Sequence, residues 1–275
     1  MELKLAVNCS ILFTELPLLD RPKAAQEAGF DAVEFWWPFP TATPSSHEVS
    51  AFVDAVGSSG TQLVGLNFFA GDMPAGERGI VSHPDRKDEF RASVVTASEI
   101  GEALGCKAFN ALYGLTLDDS SSGNQQAAAL DNLEFAAETV GEIGGTVLLE
   151  PVSGAERYPL KTAADVTAII RELRESRDIY NVKFLYDLYH LAVNGARDLE
   201  QIVADNHELI GHVQVADAPA RHQPGTGQLD IVSALRELDR HDYDGYVALE
   251  YVPQGTTVES FAWVPAFREA LREQG

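Results

Sequence analysis

Cysteine is scarce: Cys9 and Cys106 are the only two in 275 residues. They stand far apart in apolar, strand-like surroundings and read as buried free thiols rather than a disulfide pair. A chain of this length buries roughly 75% of its unfolded surface and needs no such staple. Long hydrophobic runs are also missing, since no apolar stretch approaches the roughly 18–20 residues of a membrane span. The opening MELKLAVNCSILF enters a strand pattern without a basic leader or small-residue cleavage site, so no signal peptide is expected. These absences predict a soluble, cytoplasmic protein with no membrane partner. Basic residues are the third shortage. Lys and Arg total 20 against 42 Asp and Glu, a net charge of −22. Such a field repels phosphate backbones and argues against nucleic acid as a partner. Most of the charge reads as solvated helix faces, yet an anionic substrate would need local cations, helix N-termini or a metal. No linker, low-complexity tract or composition break interrupts the chain, so one domain over 1–275 is expected.

What the chain does have is alternation. Segments 3–8, 31–36, 61–67, 107–112, 146–151, 182–188, 210–216 and 245–251 are short apolar runs rich in β-branched and aromatic residues. That is the composition of strands buried on both faces. Helical patterns fall at 17–28, 47–59, 86–104, 124–143, 162–176, 198–208, 230–240 and 256–272. Eight strands, each followed by a helix, predict an α/β fold: a single (β/α)8 TIM barrel, which typically takes about 250 residues. The connections 68–86, 153–161 and 217–228 are long. In such a barrel they stand at the C-terminal face of the strands, where active sites are built and long loops serve as lids.

Four strand-like runs end in chemistry. LLEPV (148–152), YDLYH (186–190), HVQVAD (212–217) and ALEY (248–251) carry Glu150, Asp187, Gln214 and Glu250. Their oxygens can meet at one point only if the strands are neighbours in a closed or strongly curved parallel sheet. An oxygen-only set favours Mg²⁺ or Mn²⁺ over zinc. A strand-end Glu can instead cap a helix or make a surface ion pair, and a buried Gln can be satisfied by backbone. His190, three residues after Asp187, can donate a hydrogen bond or carry charge near neutral pH, or simply pack. His212 shares a strand face with Gln214 by the period of two and lines either the barrel interior or the core. Glu34 ends the second strand as a partner for the metal or a substrate hydroxyl, and Arg78 in GERG is placed to close over the site. Trp36 and Trp37 read equally well as pocket wall or packing, and Lys107 as structural.

Six segments in order resemble the hydroxypyruvate isomerase family of xylose-isomerase-like barrels, over essentially the whole length. They are PAGERGIVSHPDRKDEFR (74–91), ALGCKAFNALYG (103–114), LLEP (148–151), YDLYH (186–190), IGHVQVADAPARHQPGTG (210–227) and YDGYVALEYVPQ (243–254). The resemblance implies conversion of hydroxypyruvate to tartronate semialdehyde, with relatives acting on other small hydroxy-carbonyl acids and sugars. It implies Glu150 and Glu250 as both metal ligands and acid/base pair, moving a proton through an enediolate stabilised by a divalent metal. It also implies His190 beside the substrate oxygens and Arg221 facing a substrate carboxylate. The chain departs from the family pattern at Leu66, where many members have His, at Gln228 in place of Glu, and at Ser153 in place of Asn. Those positions belong to the substrate pocket, so the substrate is less constrained than the reaction class. An isomerase of the four-carbon 2-oxotetronate is the runner-up. A sugar 3-epimerase would need a larger pocket and usually a His at position 214. An abasic-site endonuclease of this fold needs a His-rich trinuclear zinc centre and a basic groove. A non-catalytic small-molecule binder would not require both glutamates. Assembly into a homo-oligomer is left open by the sequence.

Overall fold

The structure, a computed structural model, describes residues 4–118 and 121–272. Eight strands form within the expected segments: β1 (Leu5–Asn8), β2 (Ala32–Phe35), β3 (Gln62–Asn67), β4 (Ala108–Asn110), β5 (Thr146–Leu149), β6 (Val182–Asp187), β7 (Ile210–Val215) and β8 (Val247–Leu249). Each pairs in parallel with the next, and β1 closes on β8 through Leu5↔Val247, Ala6↔Ala248 and Val7↔Leu249. Around them run α1 (Arg21–Glu27), α2 (Ser46–Ser59), α3 (Lys87–Leu104), α4 (Ser122–Gly141), α5 (Ala163–Arg177), α6 (Leu188–Val193), α7 (Leu199–Asn206), α8 (Ile231–Arg240) and α9 (Val264–Arg272). This is the closed (β/α)8 barrel.

Local chemistry sets the helix boundaries. Ser45 with Glu48 and Thr162 with Asp165 form reciprocal capping boxes at the starts of α2 and α5, satisfying N–H groups that have no partner within the helix. The expected helix over 256–272 divides into a 3-10 turn at Glu259–Trp263 and then α9. The short α6 was not foreseen. It begins directly after β6, where the Asp187 side chain accepts the His190 N–H as its N-cap.

The main core lies between barrel and helices, built on side chains such as Phe35, Phe52, Phe90, Phe109 and Leu133. Both free cysteines and Leu66 belong to it. Leu66, expected at the substrate pocket, points outward from β3 because Asn67 takes the inward position. Neither it nor Gln228 lines the cavity at the C-terminal strand ends, whereas Ser153 does. A separate small cluster, Ala6, Ala32, Val64 and Ala248, is walled off from that core. By the strand period of two, Ala6, Ala32 and Ala248 share a face with Asn8, Glu34 and Glu250. Small residues there leave room inside the barrel for longer polar ones above. Among the described residues no helix is long and apolar enough to cross a membrane.

Candidate active site

Every strand brings one amide or carboxylate to its C-terminal end. Asn8, Glu34, Asn67, Asn110, Asp187 and Gln214 lie at or next to the last strand residue, and Glu150 and Glu250 one residue beyond; all eight are buried. Above them opens a cavity of about 860 Å³. Glu150, His190, Arg221 and Glu250 line it, with Trp36, Trp37 and Phe39 on one wall and Met73, Arg78 and Arg86 contributed by the loop 68–86. Asp187, Gln214 and Glu34 are not part of its lining and sit deeper.

The carboxylates crowd one another. Glu150 Oε1 accepts from Asn110 Nδ2 at 2.6 Å. Burial, then the charges of Glu250 and Asp187, lift its pKa well above the carboxylate range. Glu250 accepts from Trp36 Nε1 (2.5 Å) and Asn8 Nδ2 (3.2 Å) on Oε1, and from Arg221 Nη2 (2.7 Å) on Oε2. Burial raises its pKa to about 7 despite the Arg221 cation. Asp187 gives one oxygen to the His190 N–H at 2.7 Å. Burial raises its pKa to about 6, against the lowering effects of Arg221 and of a hydrogen bond with the Glu250 side chain.

His190 has a defined tautomer. Its Nδ1 accepts from the Ser153 backbone N–H at 3.0 Å and from the Ser153 hydroxyl at 2.7 Å. A backbone N–H can only donate, so Nδ1 carries no proton and the neutral ring bears it on Nε2. Burial, reinforced by Arg221, pushes the His190 pKa down to about 3, so the ring is neutral near pH 7.

Ligand-type atoms of Glu150, Asp187 and His190 lie within 4.8 Å of one another, the spacing of a metal site. Beside them on the sheet, Asp187 is in register with Gln214. The Gln214 amide donates Nε2–H to Glu34 Oε1 at 2.7 Å, while its Oε1 is buried with no partner. Mutually repelling buried carboxylates and an orphaned amide oxygen form a donor set suited to a hard cation.

Two loops supply the cations that face the cavity. Arg78 Nη1 donates to the carbonyls of Met73 (3.0 Å) and Glu77 (2.6 Å). The same loop is tied down by an Arg86–Glu77 ion pair at 2.6 Å. Gly79 is required within it: its φ is +96°, and a Cβ would stand 1.9 Å from the Leu112 carbonyl oxygen. In the loop after β7, Asp217 accepts the N–H groups of Ala218, Gly225, Gly227 and Leu229 at 2.9, 3.0, 2.9 and 3.0 Å. That winding presents Arg221, itself at φ +58°, with its guanidinium 5.2 Å from the Tyr189 ring centroid.

The structure therefore brings Glu150, Glu250, His190, Arg221 and Arg78 to one cavity, with Asp187 and Gln214 just beneath. Glu34 lies inside the barrel rather than on the cavity lining, bonded to Asn8, Gln214 and His212. Sequence reasoning passed over Asn8, Asn110, Asp217 and the Ser153–His190 bond. The one signal it could have used was the repeated Asn closing LAVN, VGLN and AFN.

The xylose isomerase-like TIM barrel family matches residues 22–270. A Streptomyces coelicolor protein that carries the provisional name hydroxypyruvate isomerase is 45% identical over 97% of each chain. The 2-oxo-tetronate isomerase of Pectobacterium atrosepticum is 32% identical, covering 97% of this chain and 98% of its own. The hydroxypyruvate isomerase of Escherichia coli is 32% identical over 97% of this chain and all 100% of its own. Among solved structures, an AP endonuclease, family 2, from Brucella melitensis superposes with a TM-score of 0.85 at 30% identity, covering 96% of this chain and 99% of that one. By the family match and these full-length relatives, the chain belongs to the xylose isomerase-like TIM barrel family, among enzymes named as isomerases.

Proposed function

We propose that this protein is a metal-dependent isomerase of a small 2-oxo hydroxy acid, interconverting hydroxypyruvate and tartronate semialdehyde. The observation that carries the reading is a pair of buried glutamates, Glu150 from β5 and Glu250 from β8, lining one cavity with Arg221 and His190. Glu150, Asp187, Gln214 and Glu250 would hold Mg²⁺ or Mn²⁺. Such an ion supplies acidity to the carbon bearing the substrate hydroxyl and stabilises negative charge on the two substrate oxygens. His190 is not assigned as a ligand despite its distance, because Nδ1 is engaged by Ser153 and Nε2 bears the proton. Its Nε2–H serves a substrate oxygen instead.

The residues then divide the work. One glutamate takes a proton from C3 of hydroxypyruvate, leaving an enediolate. The other delivers a proton to C2, and the hydroxyl proton passes from O3 to O2, so atoms and charge balance. Two carboxylates on opposite sides of a bound substrate can trade its proton in this way. Arg221 and Arg78 supply the local positive field that an anionic substrate needs against a net charge of −22.

A second reading, isomerisation of the four-carbon 2-oxotetronate, is favoured by the relative of that name and by a cavity of about 860 Å³, ample for a longer acid. Nucleic-acid cleavage, suggested by the name of the Brucella structure, is disfavoured by the acidic surface. The test is turnover of each acid by purified protein before and after EDTA, then with Mg²⁺ or Mn²⁺ restored. Full activity without metal sinks the assignment, and the ratio of kcat/KM for the two acids decides between substrates. Product formed in D₂O should gain deuterium at the carbon that receives the proton, provided the acid exchanges with solvent during turnover.

A further inference from the structure

We propose that Glu34 is a positioning residue, one that turns the Gln214 amide so its carbonyl oxygen, not its NH₂, faces the cation site. The inference rests on the reading of Gln214 as a metal ligand. An amide side chain has two ends of similar shape and opposite hydrogen-bonding sense, and only the oxygen can coordinate a cation. Nothing in the Gln214 side chain itself selects between them. Glu34 does: its Oε1, which also faces the Asn8 amide, accepts from the NH₂ end at 2.7 Å and leaves Gln214 Oε1 buried and unpartnered.

The arrangement is built rather than incidental. Glu34 Oε1 also accepts from Asn8 Nδ2 at 2.8 Å, and Oε2 pairs with His212 Nε2 at 2.7 Å. Three side chains, Asn8, Gln214 and His212, thus hold both oxygens of a side chain that is 3% exposed. Since β1 and β8 intervene between β2 and β7, the bonds to Gln214 and His212 cross the interior of the barrel. Space for that crossing comes from Ala6, Ala32 and Ala248 and from Gly65, where a Cβ would stand 3.0 Å from Glu34 Oε2. Asn8 reaches Glu250 Oε1 with the same amide nitrogen, at 3.2 Å. Glu34 is therefore linked to a second member of the site.

Mn²⁺ titration of the metal-stripped, full-length protein by calorimetry tests this without using activity. Glu34→Leu should weaken Mn²⁺ binding by about 10–100-fold, the usual effect of losing a group that orients a metal ligand. Glu34→Gln removes the charge but keeps an oxygen toward Asn8 and Gln214, so it should retain most of the affinity. Glu34→Asp keeps the charge but withdraws the oxygens, and should bind more weakly than Glu34→Gln. That comparison stands even if the leucine variant fails to fold. Gln214→Met should weaken binding, and adding Glu34→Leu to it should cost much less than Glu34→Leu costs alone. Equal losses in Glu34→Leu and Glu34→Gln, or an undiminished Glu34→Leu penalty in the Gln214→Met background, would overturn the positioning role and leave the ligand reading intact. Unchanged affinity in Gln214→Met alone would instead remove Gln214 from the ligand set, and the inference with it.

Discussion

For Glu150 and Glu250, burial is a cost in the folded state and an asset in the reaction. In the metal-free protein both carboxylates are held away from water among other acids, which raises their pKa values, while the same placement sets them on one cavity as a proton-transferring pair. Glu150→Gln and Glu250→Gln preserve shape and one oxygen donor while deleting the base. Each should lower kcat by roughly 10²–10⁴-fold, with metal content measured on the same samples. A metal-loaded variant with near-normal kcat would remove that residue from the mechanism. The same shifts predict how the metal-free protein responds to pH. Asp187 and Glu250 rise from ordinary values of 3.8 and 4.5 to about 6 and about 7. Folded-state pKa values above the unfolded ones favour the folded form while the groups are protonated. That stability is complete below the unfolded values and lost as pH rises through the folded ones. Thermal melts of metal-free protein should therefore lose stability between about pH 4 and pH 7 relative to Glu250→Gln, which lacks one of the titrations. Parallel curves for the two proteins would show that Glu250 is not titrating there.

Elements turn these residues into a site, and α6 does so most economically. The spacing of Asp187 and His190 is that of an N-cap and the third helical residue, so one Asp oxygen bonds the His190 N–H while the carboxylate still faces the cluster. The β7–α8 loop works by a different device, four N–H groups wound on the buried carboxylate of Asp217. Arg221→Ala should raise KM for an anionic acid more than it lowers kcat, because a charge-assisted contact made in the ground state is lost. Asp217→Ala should reproduce that KM effect with Arg221 still present, since four N–H groups are left without their acceptor and the loop loses its shape. Faster proteolytic cleavage within 218–229 should accompany it. An Asp217→Ala enzyme with unchanged KM would show that Arg221 is positioned by its contacts with Glu250 and Tyr189 alone.

For the molecule as a whole, the proposed ligands come from β5, β6, β7 and β8, one half of the barrel wall. A cation bound there ties four consecutive strands together and is absent from the unfolded chain. Saturating Mn²⁺ should stabilise the protein by about 2.7 kcal/mol at a free concentration 100 times Kd, seen as an upward shift of Tm in calorimetry. The shift should vanish when Asp187 is replaced by Asn together with Gln214→Met. Persistence of the full shift in that double variant would place the stabilising ion elsewhere.

Much of this was legible in the sequence because it depends on local pattern. Eight apolar runs separated by helical periods specify a parallel barrel. A carboxylate or amide closing such a run is conspicuous, since a polar group at a buried strand end needs a partner. Glu150, Asp187, Gln214 and Glu250 stood out for that reason. Asn8 and Asn110 did not, because an Asn after a short apolar run reads equally well as a turn residue. Other features had no local signature. The tautomer of His190 depends on Ser153, 37 residues away across a loop, and the orientation of Gln214 depends on Glu34, 180 residues away across the barrel interior. Residue identity and period determined which groups reach the end of which strand. Only barrel closure decided which donor faces which acceptor, because hydrogen bonds are directional and short, and β2 and β7, which exchange the Glu34–Gln214 bond, are not neighbours in the sheet.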